Sequence, residues 1–251
     1  MSSTIQLSFF SSPLADHTDL WFKELAEDKM VCPVFTLPDL NRPPLQIDYS
    51  NLRSDFNRDG FAIVRNFLNQ DELRELTTQT EFYLDSIDYD ATFQTAAKKA
   101  FGGTIKNLQE ANPWFNQQLR KGKPYRFIKE LLESELKPAT TAYFERIPGE
   151  SRGIEPHFDA IGHRSWGATI WIALDAARNS NGCLHYERGS HRVEYPAKVG
   201  IEGFDKSTDN ATPIEIDPGD AAIHSSLTVH WSNPNQSQSK RRAVSFFYWC
   251  T

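Results

Sequence analysis

The stretch 219-GDAAIHSSLTVHWSNPNQSQSKRRAVSFFYW-249 sets three short apolar runs, AAIH, LTVHW and RAVSFFYW, between clusters of Ser, Asn, Pro, Gln and Lys. Short runs rich in β-branched and aromatic residues, bounded by turn formers, read as strands rather than helices. The texture continues upstream through TTAYFERI, ATIWIAL, CLHYE and PIEI, each bounded by Gly, Pro, Asn or Ser. Many short strands in succession imply an antiparallel β-sandwich or barrel. Residues 194–212 make one connection too long for a simple hairpin, and a loop of that length is read as a lid.

Ahead of this half the pattern changes. In 58-RDGFAIVRNFLNQDELRELTTQTEFYL-84, Asp59-Gly60 makes a turn and the residues from Phe61 alternate as a short strand. Asn69 then caps a helix, with Glu72 completing a capping box and Leu73, Leu76, Phe82 and Leu84 as its apolar positions. A second helical region is expected over 113–136, ending before Lys137-Pro138. Residues 1–50 show no regular period. A strand is expected at 4–10, and PVFTLPDLNRPPLQ is extended by its prolines. A chain of 251 residues is long enough for one domain with a full core. The expected organisation is a single domain over 1–251, residues 1–55 being an N-terminal extension packed on it and the β core spanning roughly 138–250.

The formal net charge of −6 and pI near 5.7 argue against a nucleic-acid partner. Cys32, Cys183 and Cys250 form no CxxC or zinc-like spacing, as expected of incidental thiols in a reducing compartment. The N-terminus lacks a basic leader, and no apolar run is long enough to span a membrane. The expectation is a soluble cytoplasmic protein, monomer or homodimer, that handles a small-molecule substrate.

The candidate chemistry concentrates in 155-EPHFDAIGH-163. Pro156 blocks a helix there and biases its neighbours toward extended backbone. Residues two apart then share a face, so His157 and Asp159 converge while Phe158 turns away. Pro156 and the loop before it leave the direction of Glu155 open. One His and one carboxylate are two-thirds of a 2-His-1-carboxylate site, which suits Fe(II) and leaves positions for reactants. The third ligand must come from a distant strand, and His224 and His230 are both available.

Four segments together resemble the phytanoyl-CoA dioxygenase family: HFD at 157–159, 181-NGCLHYERGSHR-192, 230-HWSNPNQSQSKRRAVS-245 and the opening RDGFAIVRNFLNQDEL. They occur in the family's order and cover about residues 55–250. The resemblance implies a mainly β fold with flanking helices around a double-stranded β-helix (jelly-roll, cupin-like) core. It also implies Fe(II), 2-oxoglutarate as cosubstrate, and O2. In that family the distal His is followed eleven residues later by an Arg that takes the far carboxylate of 2-oxoglutarate. From His230 that residue is Arg241, whereas from His224 it is the uncharged Asn235. The resemblance therefore implies His157, Asp159 and His230 as metal ligands and catalytic centre, with Arg241 binding the cosubstrate. A planar guanidinium suits a carboxylate through two parallel charge-assisted hydrogen bonds, independently of the family. Ser232 matches a position that bonds the same carboxylate, and Thr169 is expected to add a hydroxyl contact. His224 becomes a core or pocket-wall residue, and Arg242 faces the other side of its strand.

The implied reaction hydroxylates an unactivated C–H bond of a small metabolite, amino acid-like or a natural product, while 2-oxoglutarate yields succinate and CO2. The intact Asp159 favours hydroxylation over halogenation, for which relatives replace this carboxylate by Gly or Ala. Desaturation, cyclisation and epimerisation share the same ligand set. A non-catalytic metal-binding protein is disfavoured, since no ligand has been lost. His163, Arg164 and Trp171 are substrate-side candidates, although His163 also suits a solvated loop and Trp171 the core. His185 reads as a core residue and His191 as fixing the turn after its strand. Residues 85–112 and 194–212 are expected to shape the substrate pocket.

Overall fold

The computed structural model of the chain describes residues 47–87, 103–149, 152–160, 166–195 and 200–251. The strand expected at 4–10, the proline-rich run, His163 and Arg164 lie outside them. The described strands make two antiparallel sheets. The larger has the order β1 (Phe61–Val64), β8 (Ala221–Ser225), β5 (Gly167–Ala173), β10 (Arg241–Cys250), β3 (Leu136–Arg146), β2 (Thr104–Lys106). The smaller has the order β4 (Ile154–His157), β9 (His230–Ser232), β6 (Leu184–Glu187), β7 (Ala211–Pro213). This is the expected jelly-roll arrangement of mainly antiparallel strands with helices to one side.

Strand β5 shows how the sheet serves two cores. All seven of its residues are buried. Ala168, Ile170 and Ile172 join Ile223, Val244, Phe246 and Tyr248 in an apolar cluster shared with the helices. Trp171 and Ala173 belong to the other cluster, with Phe61, Leu184, Tyr186, Ala222 and Ala243. Alternation along a strand puts successive side chains on opposite faces, so one strand feeds both layers. The second cluster gathers side chains from both sheets, which makes it the space between them.

The helices are α1 (Tyr49–Asp59), α2 (Gln70–Asp85), α3 (Leu108–Ala111), α4 (Pro113–Lys121) and α5 (Lys123–Leu132). Their buried residues Phe56, Leu76, Leu108, Phe115, Phe127 and Ile128 pack in the first cluster. Asn69 and Glu72 form the expected reciprocal cap on α2, at 2.9 and 2.8 Å. Phe82 departs from expectation. It is 41 % exposed, while Thr80 and Tyr83 take the buried positions beside Leu76.

Three further expectations need correcting. Helix α1 was not foreseen, and a boundary at residue 55 falls inside it. Its apolar signal is thin, but the Asp48 side chain caps it by accepting from Asn51 N at 3.1 Å. The helical region over 113–136 breaks at Gly122, with Pro124 in the first turn of α5. Strand β3 already begins at Leu136 and runs through Pro138, opposite the register shift between Phe247 and Tyr248 of β10. A proline that cannot donate is tolerated at such an irregularity. PIEI is not a strand either: β7 ends at Pro213, and Ile216 makes only an isolated bridge to Ala177.

Residues 200–206 of the long loop lie along β4, one edge strand of the smaller sheet, before the chain crosses to β7 at the other edge. Ile201 N donates to Pro156 O at 2.8 Å, Lys206 pairs with Glu155 at 2.6 Å, and Phe204 packs on Trp231 with ring centroids 5.5 Å apart. An uncovered edge strand invites foreign pairing, and these contacts blunt it.

Asp220 anchors the turn into β8. It is 3 % exposed and accepts from Arg65 Nη1 at 2.7 Å, Asn66 N at 2.7 Å and Asp217 N at 3.0 Å. Burial disfavours its charge, but these donors outweigh that and hold its carboxyl below the ordinary value. The stability it contributes is therefore present above about pH 4 and is lost as pH falls through the folded-state value. Asp220→Ala orphans these donors and is expected to cost about 3 kcal/mol. In thermal melts that is a fall in Tm of roughly 6–12 °C for a domain of this size.

Candidate metal centre

His157 ends β4, and His230 begins β9 directly opposite it in the sheet register. Their ring centroids lie 4.2 Å apart. Asp159, two residues past His157, returns to the same side, while Phe158 is buried near Tyr195 with centroids 6.5 Å apart. Ligand atoms of His157, Asp159 and His230 lie within 4.8 Å of one another. Among the described residues they form the one group of three or more His, Cys, Asp or Glu able to hold a metal ion.

The hydrogen bonds around the trio fix which atoms are free. His157 Nδ1 lies 2.8 Å from Glu155 O, and His230 Nδ1 lies 3.0 Å from Thr228 O. A carbonyl only accepts, so each Nδ1 carries a hydrogen and each Nε2 presents a lone pair. This is how proteins usually orient metal-binding imidazoles. Burial lowers the pKa of both histidines, His230 the more strongly, which favours these neutral forms.

Asp159 is held by one oxygen. Its Oδ2 accepts from Thr169 Oγ1 at 2.7 Å and from His224 Nε2 at 3.1 Å, while Oδ1 lies 3.8 Å from His230 Nε2. Burial pushes its carboxyl up. The hydrogen bond donated by His224 is among the contacts that outweigh this and hold it below the usual carboxylate range. Two neutral imidazoles and an ionised carboxylate are the donor set that Fe(II) takes in a facial triad.

Arg241 lies in the same interior, 1 % exposed. Its Nη2 donates to Gly182 O at 2.7 Å, and its guanidinium sits 5.2 Å from the centre of the Trp171 ring. Arg241 Nε and Trp171 Nε1 are both buried donors without a hydrogen-bond partner among the described residues. Burial, reinforced by the Arg146 guanidinium across the strand pair, pushes the Arg241 pKa well down. Orphaned donors around a disfavoured buried cation fit an anionic cosubstrate.

The other predicted residues separate. Ser232 Oγ accepts from Arg146 Nη2 at 3.1 Å, which places it beside the two arginines. Thr169, expected to contact cosubstrate, instead spends its hydroxyl on Asp159. Trp171 is 2 % exposed and belongs with Arg241, not with an open substrate mouth. His185 is buried and stacks on Trp231, and His191 sits in the turn after β6 with Nε2 3.3 Å from Asn57 O. Arg242 points outward to Asp175 and Glu81, as expected. The sequence reading missed Tyr186, whose hydroxyl lies 2.8 Å from His224 Nδ1. Its signal was alternation within CLHYE, which puts Leu184 and Tyr186 on one face. Nothing in the sequence indicated that His224 faces Thr169 across β5 and β8.

The chain is similar to several known proteins. A model of the phytanoyl-CoA dioxygenase (PhyH) family matches residues 56–243. The dioxygenase lolE1 of Epichloe uncinata is 28 % identical over 160 residues, 60 % of each chain. A Caenorhabditis elegans homologue of phytanoyl-CoA dioxygenase domain-containing protein 1 is 23 % identical over 258 residues, covering 77 % of this chain and 88 % of its own. In fold, the chain is similar to EvdO2 from Micromonospora carbonacea var. aurantiaca, whose structure was determined with 2-oxoglutarate. The TM-score is 0.70 and the identity 21 %, over 83 % of this chain and 93 % of that one.

Proposed function

The chain belongs to the phytanoyl-CoA dioxygenase family of Fe(II)- and 2-oxoglutarate-dependent oxygenases, and we propose that His157, Asp159 and His230 hold its iron and Arg241 the far carboxylate of its cosubstrate. On this reading the enzyme hydroxylates an unactivated C–H bond of a small metabolite. One observation carries it: ligand atoms of His157, Asp159 and His230 lie within 4.8 Å of one another, and a backbone carbonyl at each histidine's Nδ1 leaves Nε2 as the free nitrogen.

Bound iron supplies O2 activation at the expense of 2-oxoglutarate, which leaves as succinate and CO2. The protein's part is binding, orientation and exclusion of water. Arg241 offers the cosubstrate a guanidinium whose Nε has no hydrogen-bond partner among the described residues, and Trp171 offers an indole N–H beside it. Ser232 adds a hydroxyl from the strand that carries His230. Leu184, Tyr186, Ala222 and Ala243 form apolar surroundings in which such charge-assisted bonds are strengthened. The retained carboxylate of Asp159 favours hydroxylation. Which C–H bond reacts depends on how substrate is placed relative to the metal. The acidic chain carries no basic run for the phosphates of coenzyme A, which favours free metabolites over acyl-CoA.

The test is succinate formation from 2-oxoglutarate by the purified protein, screened against amino acid-like and natural-product metabolites. Turnover is expected to require Fe(II) and O2 and to cease on chelation. A protein that binds neither Fe(II) nor 2-oxoglutarate would sink the reading.

A further inference from the structure

His224 is no member of the ligand trio, yet it is 2 % exposed and its ring centroid lies 4.4 Å from that of His230. Its Nε2 lies 3.1 Å from Asp159 Oδ2. The ionised carboxylate only accepts, so Nε2 carries the hydrogen and donates. In the neutral ring Nδ1 is then an acceptor, and the Tyr186 hydroxyl, 2.8 Å away, donates to it. Tyr186 is fully buried, so its hydroxyl has no solvent to turn to. From the neighbouring strand Thr169, paired with His224 in the register, donates to the same carboxylate oxygen at 2.7 Å.

From this geometry we propose that Tyr186 and His224, together with Thr169, clamp the outer oxygen of Asp159 so that the carboxylate binds the metal through Oδ1 alone. The proposal rests on the assignment of Asp159 as a ligand. Oδ2 already receives two hydrogen bonds, at 2.7 and 3.1 Å, and an oxygen so engaged is poorly placed to chelate. A carboxylate free to rotate would close on the ion with both oxygens and occupy a position that cosubstrate or O2 needs. The clamp keeps that position open. Tyr186 fixes the tautomer of His224, and His224 transmits that choice to the carboxylate. All three act through Asp159 and are positioning residues.

The test uses Co(II) as the probe, titrated into the metal-free protein and followed by visible absorption, which reports coordination geometry as well as affinity. His224→Phe keeps a ring of similar size against His230 and removes the N–H. It is expected to raise the Co(II) dissociation constant about 10- to 100-fold, the usual effect of losing an outer partner of a metal ligand. The spectrum should change as well. His224→Gln can donate to Asp159 and accept from Tyr186, and should recover most of the affinity and the wild-type spectrum. A His224→Phe protein with wild-type affinity and spectrum would overturn the clamp while leaving the metal site standing. Wild-type protein that binds no Co(II) would overturn both. Should His224→Phe fail to fold by circular dichroism, Thr169→Val, which removes the other bond to Oδ2 at nearly constant shape, decides by the same criterion.

Discussion

His230→Ala is expected to abolish metal-dependent succinate formation, to below about one-hundredth of wild type. That bound takes the upper end of what loss of an outer partner costs, and a direct ligand should cost more. His230 is 6 % exposed, and its ring stands between those of His157 and His224, 4.2 and 4.4 Å from them. Removing it deletes one of two Nε2 lone pairs and leaves His157 with Asp159 alone, two ligands from one short segment that cannot fix an ion in a facial arrangement. The rings of His157 and His224 also lose a packing partner, so the measurement should be paired with a melt, and His230→Gln offers a variant of closer volume. The informative comparison is with His224→Phe at saturating Fe(II). That protein keeps all three ligands and should still bind Fe(II), with turnover reduced by the unclamped carboxylate but measurable where that of His230→Ala is lost. A dead His224 variant beside an active His230 variant would reverse the ligand assignment.

That comparison matters because the residues near His230 did not by themselves choose between the two histidines. Extended backbone around Pro156 was enough to put His157 and Asp159 on one face, and the structure has them so. The distal ligand required pairing across strands far apart in sequence, and hydrophobic period carries no register. In the structure His157 and His230 face each other in the β4–β9 pair, whereas His224 faces Thr169 in the β5–β8 pair. The contact of Thr169 with Asp159 was hidden for the same reason. Its inward direction follows from alternation, but the atom it meets is set by which strand lies opposite.

The larger architecture was more legible because it depends on local signals. Short runs such as ATIWIAL and RAVSFFYW are strands whatever they pair with, and Asn69 with Glu72 caps a helix through bonds made within four residues. Helix α1 was invisible because its stability is tertiary. Phe56 is 3 % exposed in the shared core, and Arg53 reaches from α1 to the carbonyls of Glu130 and Leu131 at 2.7 and 3.1 Å. Neither contact leaves a periodic trace. PIEI misled in the opposite way: Ile214 and Ile216 are fully buried, but a single bridge and Ile214 N bonded to Leu184 O serve in place of a ladder.

Arg241→Met should separate two quantities that usually fall together. Affinity for 2-oxoglutarate is expected to drop about 30- to 4,000-fold, since truncating one partner of a buried hydrogen-bonded charge pair costs about 2–5 kcal/mol and 1.4 kcal/mol is about tenfold. Without cosubstrate the variant should melt no lower than wild type. The guanidinium is buried beside Arg146, its Nε has no partner among the described residues, and its one protein hydrogen bond is to Gly182 O. An apolar chain of similar length removes that burden, and replacing buried charge with well-packed apolar volume is often neutral or stabilising. Co(II) binding without 2-oxoglutarate should stay close to wild type, because no hydrogen bond of Arg241 reaches the ligand trio. Arg241→Lys should fall between, keeping the charge but losing the planar fork that meets both carboxylate oxygens. Lower stability with unchanged 2-oxoglutarate affinity would mean that Arg241 braces the Gly182 turn and that the anion lies elsewhere. Arg146, bonded to Ser232 on the strand of His230, would then be the guanidinium to test.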